Sequence, residues 1–218
     1  MLEIVARNIP AFRQGLAVTL QLCGIAWSIG ILLGALLGYA SAKSRLFNFF
    51  NKTFSYLISS IPVLVLLFWF HYPLQYSLDL RIDPFYTSAF ILALINTFAV
   101  SNVVAAGIAN LPRQYLEAAT VCGIGKPTAF LRIELPLILR NVFPGILMSQ
   151  VNILHLTLFA SLISVNELFR VAQRVNAQVY RPVEIYTALA LFFLLISLPL
   201  ILLSNYLTKK YARDLSEK

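Results

Sequence analysis

A chain of 218 residues that is 59% hydrophobic and only 12% charged is far from a soluble domain, in which roughly 25% of residues carry charge. Its apolar residues come in runs long enough for membrane-spanning helices of about 20 residues, so a soluble globular class is excluded. The net charge of +8 does not point to nucleic acid, because Lys and Arg sit at the ends of the apolar runs, where membrane proteins carry them.

Five spans are expected in chain order, at about 16–40, 54–74, 86–110, 138–164 and 184–207. They make an all-α membrane protein: one five-helix domain over 1–218, embedded in the lipid bilayer. No cleavable signal peptide is expected, because Glu3, Arg7, Asn8, Pro10 and Arg13 precede the first long apolar run. In the first span Ala26, Gly30, Gly34 and Gly38 recur every fourth residue. Such a stripe lets another helix approach closely in lipid, within the protomer or across a dimer interface. Pro62, after Ser59-Ser60, is expected to kink or break the second span, and Pro144-Gly145 the fourth. Cys23 and Cys122 have neither metal nor redox spacing and are expected as free thiols, with no metal site.

Basic residues set the orientation. One side holds the 41–53 loop (Lys43, Arg45, Lys52), the 111–137 segment and its edge (Arg113, Lys126, Arg132, Arg140) and the tail (Lys209, Lys210, Arg213, Lys218). The other holds fewer: Arg7, Arg13, Arg81, Arg170, Arg174 and Arg181. The richer side is expected in the cytoplasm, which puts the N-terminus outside, the C-terminus inside and the 111–137 segment inside.

Several polar residues fall inside the spans, where they must face protein or water. The third span has Asn96, Thr97, Ser101 and Asn102; the fourth has Ser149, Gln150, Asn152, His155, Thr157, Ser161 and Ser164. Asn152 and His155 are three apart and can sit side by side on a helix. Ser101, Asn102, Asn152, His155 and Ser164 are candidates for a translocation path. The alternative for each is hydrogen bonding between helices, which such residues make routinely.

Residues 117–136, EAATVCGIGKPTAFLRIELP, form a polar, Gly- and Pro-broken island between apolar runs. Ala119 and Gly123 lie four apart, on one helical side, where small residues permit a partner to come close. Gly123 can end a short helix in the left-handed conformation. Pro127 suits the first turn of the next helix, and Pro136 is expected to mark a break before the following apolar run. Helix, elbow, helix is the expected form. Glu117, Ala118, Ala119, Gly123, Ile133, Leu135 and Pro136 also stand in the register of the EAA signature of bacterial ABC-importer permeases, so the chain resembles the membrane subunit of such an importer.

The likeness covers nearly the whole chain. Gly15-Leu-Ala-Val-Thr19-Leu resembles the opening of polar amino-acid importer permeases, and Ile61-Pro62-Val63-Leu64 stands where that family has Thr-Pro-Leu-Leu. Leu154-His155-Leu-Thr157 and the stretch Asn176-Ala177 to Tyr180-Arg181-Pro182 resemble elements of the M-type subunit of histidine, lysine, arginine and ornithine systems. The resemblance implies a coupling contact at the EAA residues with cytoplasmic ATPase subunits that bind ATP. It also implies a second permease subunit, identical or not, an external solute-binding protein, and residence in the bacterial inner membrane. No Gly-x-x-x-x-Gly-Lys-Ser/Thr loop is present, so this chain is expected to bind no cofactor and hydrolyse nothing. It departs from the family at Ser59-Ser60, where Arg-Gly is usual, and at Asn102, where an acid is common. Either the solute differs or a sister subunit carries the site. The rival class, a stand-alone secondary carrier or channel, would need acidic groups in the spans or an inverted repeat, and neither is visible.

Overall fold

A computed structural model describes residues 2–112 and 114–216, with side chains described for 8–112 and 114–211. The side chains of Arg7, Arg113, Arg213 and Lys218, which entered the charge comparison, lie outside the described residues. The described chain is helical without strands: α1 Leu2–Lys43, α2 Arg45–Ser60, α3 Val63–His71, α4 Pro73–Ser77, α5 Pro84–Ala109, α6 Gln114–Val121, α7 Lys126–Ala129, α8 Leu135–Leu156, α9 Leu168–Val179 and α10 Pro182–Ser216. A π-helical turn, Phe130–Glu134, leads into α8, and a 3₁₀ segment, Thr157–Ile163, follows it.

Four stretches are long and apolar enough to cross a membrane: Asn8–Lys43, Pro84–Ala109, Lys126–Ile163 and Pro182–Tyr211. A fifth exists if α2 forms one span with α3 and α4 (Val63–Ser77), but the two halves meet at 91°. The hinge has a local cause. Proline disfavours the helical conformation in the residue before it, and Ile61 is extended at φ −100°, ψ 126°. The region expected as a span at 54–74 is therefore two short helices around an elbow.

The small-residue stripe of α1 packs on α5 within the protomer. An ideal Cβ on Gly34 would lie 2.7 Å from the Thr97 carbonyl oxygen and from Val100 Cβ. One on Gly38 would lie 2.6 Å from the Ser101 carbonyl. Backbones this close leave room for no side chain, and in lipid that contact is a main source of helix association. Where α1, α5 and α8 meet, Asn96 donates to the Ala26 carbonyl at 3.0 Å and to Gln150 Oε1 at 2.9 Å. Trp27 donates to the Gln150 carbonyl at 3.2 Å. Buried amides without partners would be costly, so this clasp fixes the relative register of the three helices.

Two prolines behave differently from expectation. Pro136 causes no break: it is the second residue of α8. The preceding turn widens so that the Leu135 amide donates to the Phe130 carbonyl, five residues back. A π turn absorbs the irregularity that a proline imposes on the i−4 ladder. Pro144 also causes no break. The helix runs through it, and its carbonyl accepts from Ser204 of α10 at 2.9 Å. The α-helix ends instead at Leu156. There the Thr157 and Ser161 hydroxyls each donate to a carbonyl three residues back, at 2.7 Å, which suits the tighter 3₁₀ turn.

Candidate coupling segment and polar path

The segment 111–137 is two short helices around an elbow. The α6 helix ends in a Schellman arrangement: the Gly123 amide donates to the Thr120 carbonyl and the Ile124 amide to the Ala119 carbonyl, both at 3.0 Å. Gly123 has φ +68°, a conformation open to glycine and costly to other residues. Pro127 follows in the first turn of α7. The elbow and its flanks are exposed, with Val121 89% accessible and Cys122 and Ile124 beside it.

Ala119 requires a correction. It does not share an open side with Gly123, because the helix has already ended at Val121. Ala119 is 4% accessible and turned into its own chain, whereas nothing lies within 4 Å of an ideal Cβ on Gly123. Glu117 and Ala118 are exposed on α6; Ile133, Leu135 and Pro136 are half-buried at the root of α8. The knob is fastened to α1 as well as to α8. Lys43 pairs with Glu134 at 3.3 Å, and Tyr39 meets the Phe130 ring at a centroid distance of 6.1 Å. Displacing the knob therefore loads two long helices at once.

The structure separates the polar candidates into two groups. Ser101 and Asn102 bond to α2: Ser101 donates to Asn51 Oδ1 at 2.8 Å, and Asn102 donates to Ser55 Oγ at 2.6 Å. Asn51 and Ser55 are partners that the sequence reading missed. Asn102 borders a cleft of about 450 Å³ with Ser41, Asn48, Asn51, Lys52 and Ser55. The polar face of α2, with Asn48, Asn51, Lys52 and Ser55 at three- and four-residue spacing, was a signal for it.

Asn152 and His155 lie together on the opposite, exposed face of α8, alongside Met148. Among the described residues neither has a hydrogen-bond partner, and His155 meets only the Phe193 ring, at 6.2 Å. Ser164, exposed at φ 72°, ends the 3₁₀ segment below them. Ser149, Thr157 and Ser161 are satisfied by backbone carbonyls of their own helix.

At the end of the molecule away from the knob, Glu167 was also missed. Fully buried, it caps α9 by accepting from the Phe169 amide at 2.8 Å and the Arg170 amide at 2.7 Å. Thr19 of α1 accepts from the Leu168 amide at 3.1 Å. Burial pushes the Glu167 carboxyl up to about 7, against the pull of the two amides and the Arg170 charge. Phe12, Leu168, Val171, Ala172, Val175 and Ile185 close this end with an apolar cluster.

Residues 30–214 match the family model described as "Binding-protein-dependent transport system inner membrane component". The glutamine transport system permease protein GlnP of Escherichia coli (strain K12) is 29% identical over 196 residues, covering 88% of this chain and 89% of that protein. The octopine transport system permease protein OccM of Rhizobium radiobacter is 26% identical over 200 residues, covering 86% and 80%. Among solved structures, an amino acid ABC transporter superposes with a TM-score of 0.81 at 24% identity, covering 96% of both chains. The MetNI methionine ABC transporter gives 0.72 at 11% identity, covering 94% of this chain and 98% of that one.

Proposed function

As the chain belongs to the inner membrane components of binding-protein-dependent transport systems, we propose that it carries a polar amino acid across the membrane and is driven through the α6–α7 knob. It is the transmembrane permease subunit of an importer and is not itself the ATPase, which is a separate subunit of such systems. The rival reading as a stand-alone carrier falls with the family assignment.

The observation that carries the coupling proposal is the exposed elbow at Cys122–Gly125, continuous with α8 and pinned to α1 by the Lys43–Glu134 pair. Cytoplasmic ATPase subunits bind ATP and hold this elbow through Glu117, Ala118 and Gly123. Ile133, Leu135 and Pro136 form the stiff root that transmits motion into α8. Closure of the ATPases moves the knob, and α1 and α8 tilt between two packed arrangements. The ends of α1 and α10 lie beside the knob, which supports a common cytoplasmic side for 41–53, 111–137 and the C-terminus. The N-terminus is then outside. An external binding protein docks on loops 75–85 and 165–183, the second of which is stiffened by the Glu167 cap.

A second permease subunit, the same chain or a sister, faces Asn152 and His155 and closes the path between them. Two polar side chains on a membrane helix that have no hydrogen-bond partner among the described residues require a polar neighbour, which a water-filled path supplies. Ser101 and Asn102 reach the path only at the 450 Å³ cleft beside α2. Glutamine and octopine, named for the relatives, are both polar amino-acid compounds, and this supports the solute class. The test is ATP-driven uptake by the reconstituted complex against a panel of labelled amino acids. Competition by polar amino acids is expected. Uptake indifferent to every amino acid would overturn the solute class without touching the family.

A further inference from the structure

A cleft of about 710 Å³ follows α8 at the knob end, between the C-terminal end of α5 and the last turns of α10. It reaches from Arg132 to Gly145, about 20 Å of helix. Leu111, Pro112, Ile133, Pro136 and Leu137 line it with apolar surface. Arg132 and Arg140 bring two guanidinium groups to the same cleft, and both are exposed. Neither forms an ion pair among the described residues; the nearby acid, Glu134, is taken by Lys43.

Two unpaired cations beside an apolar trough, at the end of the membrane-spanning helices, match one class of ligand. We propose that this cleft binds an anionic glycerophospholipid. Its phosphodiester meets Arg132 and Arg140, which can grip phosphate oxygens in bidentate fashion, and an acyl chain lies along α8 toward Pro144 and Gly145. Basic pockets between membrane helices recognise lipid head groups by this combination of charge and apolar wall. A soluble anion would satisfy the guanidinium groups but leave the trough empty. The bound lipid would sit against the π turn at the root of the knob, where it can stiffen the junction between knob and α8.

The assembled complex, in neutral detergent, is titrated with phosphatidylglycerol or phosphatidylcholine, and retained lipid is counted by native mass spectrometry. Phosphatidylglycerol should be retained preferentially. The double change Arg132→Gln, Arg140→Gln should cut that preference about twenty-five-fold, taking about fivefold for each arginine. Arg132→Lys with Arg140→Lys should restore most of it, which a misfolded variant could not do. Leu137→Trp, which fills the wall and keeps the charges, should lower retention of both lipids at this site. An unchanged preference in the Gln variant overturns the proposal. So does an equal loss in Arg45→Gln, which would reveal a general surface effect. Full displacement of the lipid by inorganic phosphate would also overturn it in favour of a soluble anion, and loss of retention only when the ATPase is present would assign the cleft to that subunit. Because lipid retention is read without transport, its failure is separate from any failure of the solute assignment.

Discussion

Gly123 adopts φ +68° with nothing within 4 Å of where a Cβ would stand, so the Cβ of Gly123→Leu meets no atom of its own chain there. The substitution acts through the backbone, where the left-handed conformation costs a Cβ-bearing residue about 1–2 kcal/mol, and through the partner it would touch. Insertion and assembly should persist while ATP-driven uptake falls roughly tenfold, the equivalent of about 1.4 kcal/mol. Paired assays of ATPase activity and uptake in liposomes check this, and unchanged uptake would remove the elbow from the coupling path. On α8, Asn152→Ala and His155→Ala in the assembled transporter should each leave folding intact, because neither side chain bonds to protein among the described residues. Loss of one solute hydrogen bond, about 1 kcal/mol, should raise the half-saturating solute concentration about fivefold in at least one variant or shift selectivity. Wild-type kinetics in both would move the solute site to a sister subunit. The glycine was legible in the sequence because only a few residue types tolerate a positive φ. The separation of Ser101 and Asn102 from Asn152 and His155 was not, because it depends on which helix each face meets, and spacing along one helix is silent about neighbours.

At the scale of the element, α1 and α5 approach until glycine is the only residue that fits. Gly34→Leu should overpack this contact and lower stability by about 1–3 kcal/mol or more, read as a drop in the thermal midpoint of the detergent-solubilised protein. The helix α9 offers a pH test. Its cap, Glu167, is buried and its carboxyl is raised from the ordinary 4.5 to about 7. A carboxyl raised on folding favours the folded state below its unfolded pKa, and that stability is lost as pH rises through the folded value. Between pH 4.5 and 7 the loss amounts to about 3 kcal/mol. Glu167→Gln should flatten this part of the stability profile measured between pH 5 and 8; an unchanged slope would show that the carboxyl titrates normally. Helix positions along the chain were readable because long apolar runs in lipid have few options. The prolines were less readable. The 91° hinge at Pro62 follows from the residue before it, yet Pro136 and Pro144 are accommodated by a π turn and by Ser204, and neither solution is local to the proline.

In the whole molecule, the knob, the end of α1 and the end of α10 form one pole, and α9 with the start of α5 belongs to the other. The proposed orientation puts the first pole in the cytoplasm, as the positive-inside rule expects, and the importer reading requires it there, because ATP is available only on that side. The same arrangement explains how a small displacement at the elbow can reach the middle of the membrane. The α8 helix carries Asn152 and His155 about four and a half to five and a half turns above the knob's root at Leu135 and Pro136, given its 3.6 residues per turn, and the Asn96–Gln150 clasp hands the motion to α1 and α5.

The native thiol at Cys122 tests this account most directly. It is exposed at the elbow, whereas Cys23 is buried in α1. In inside-out membrane vesicles of the assembled complex, a short membrane-impermeant reagent carrying one thiol-reactive and one photoreactive group should, on illumination, join Cys122 to the ATPase subunit. The product should vanish in Cys122→Ser and persist in Cys23→Ser. If Cys122 reacts only in right-side-out vesicles and never with the ATPase, the 111–137 segment lies outside the cell and the coupling account is contradicted.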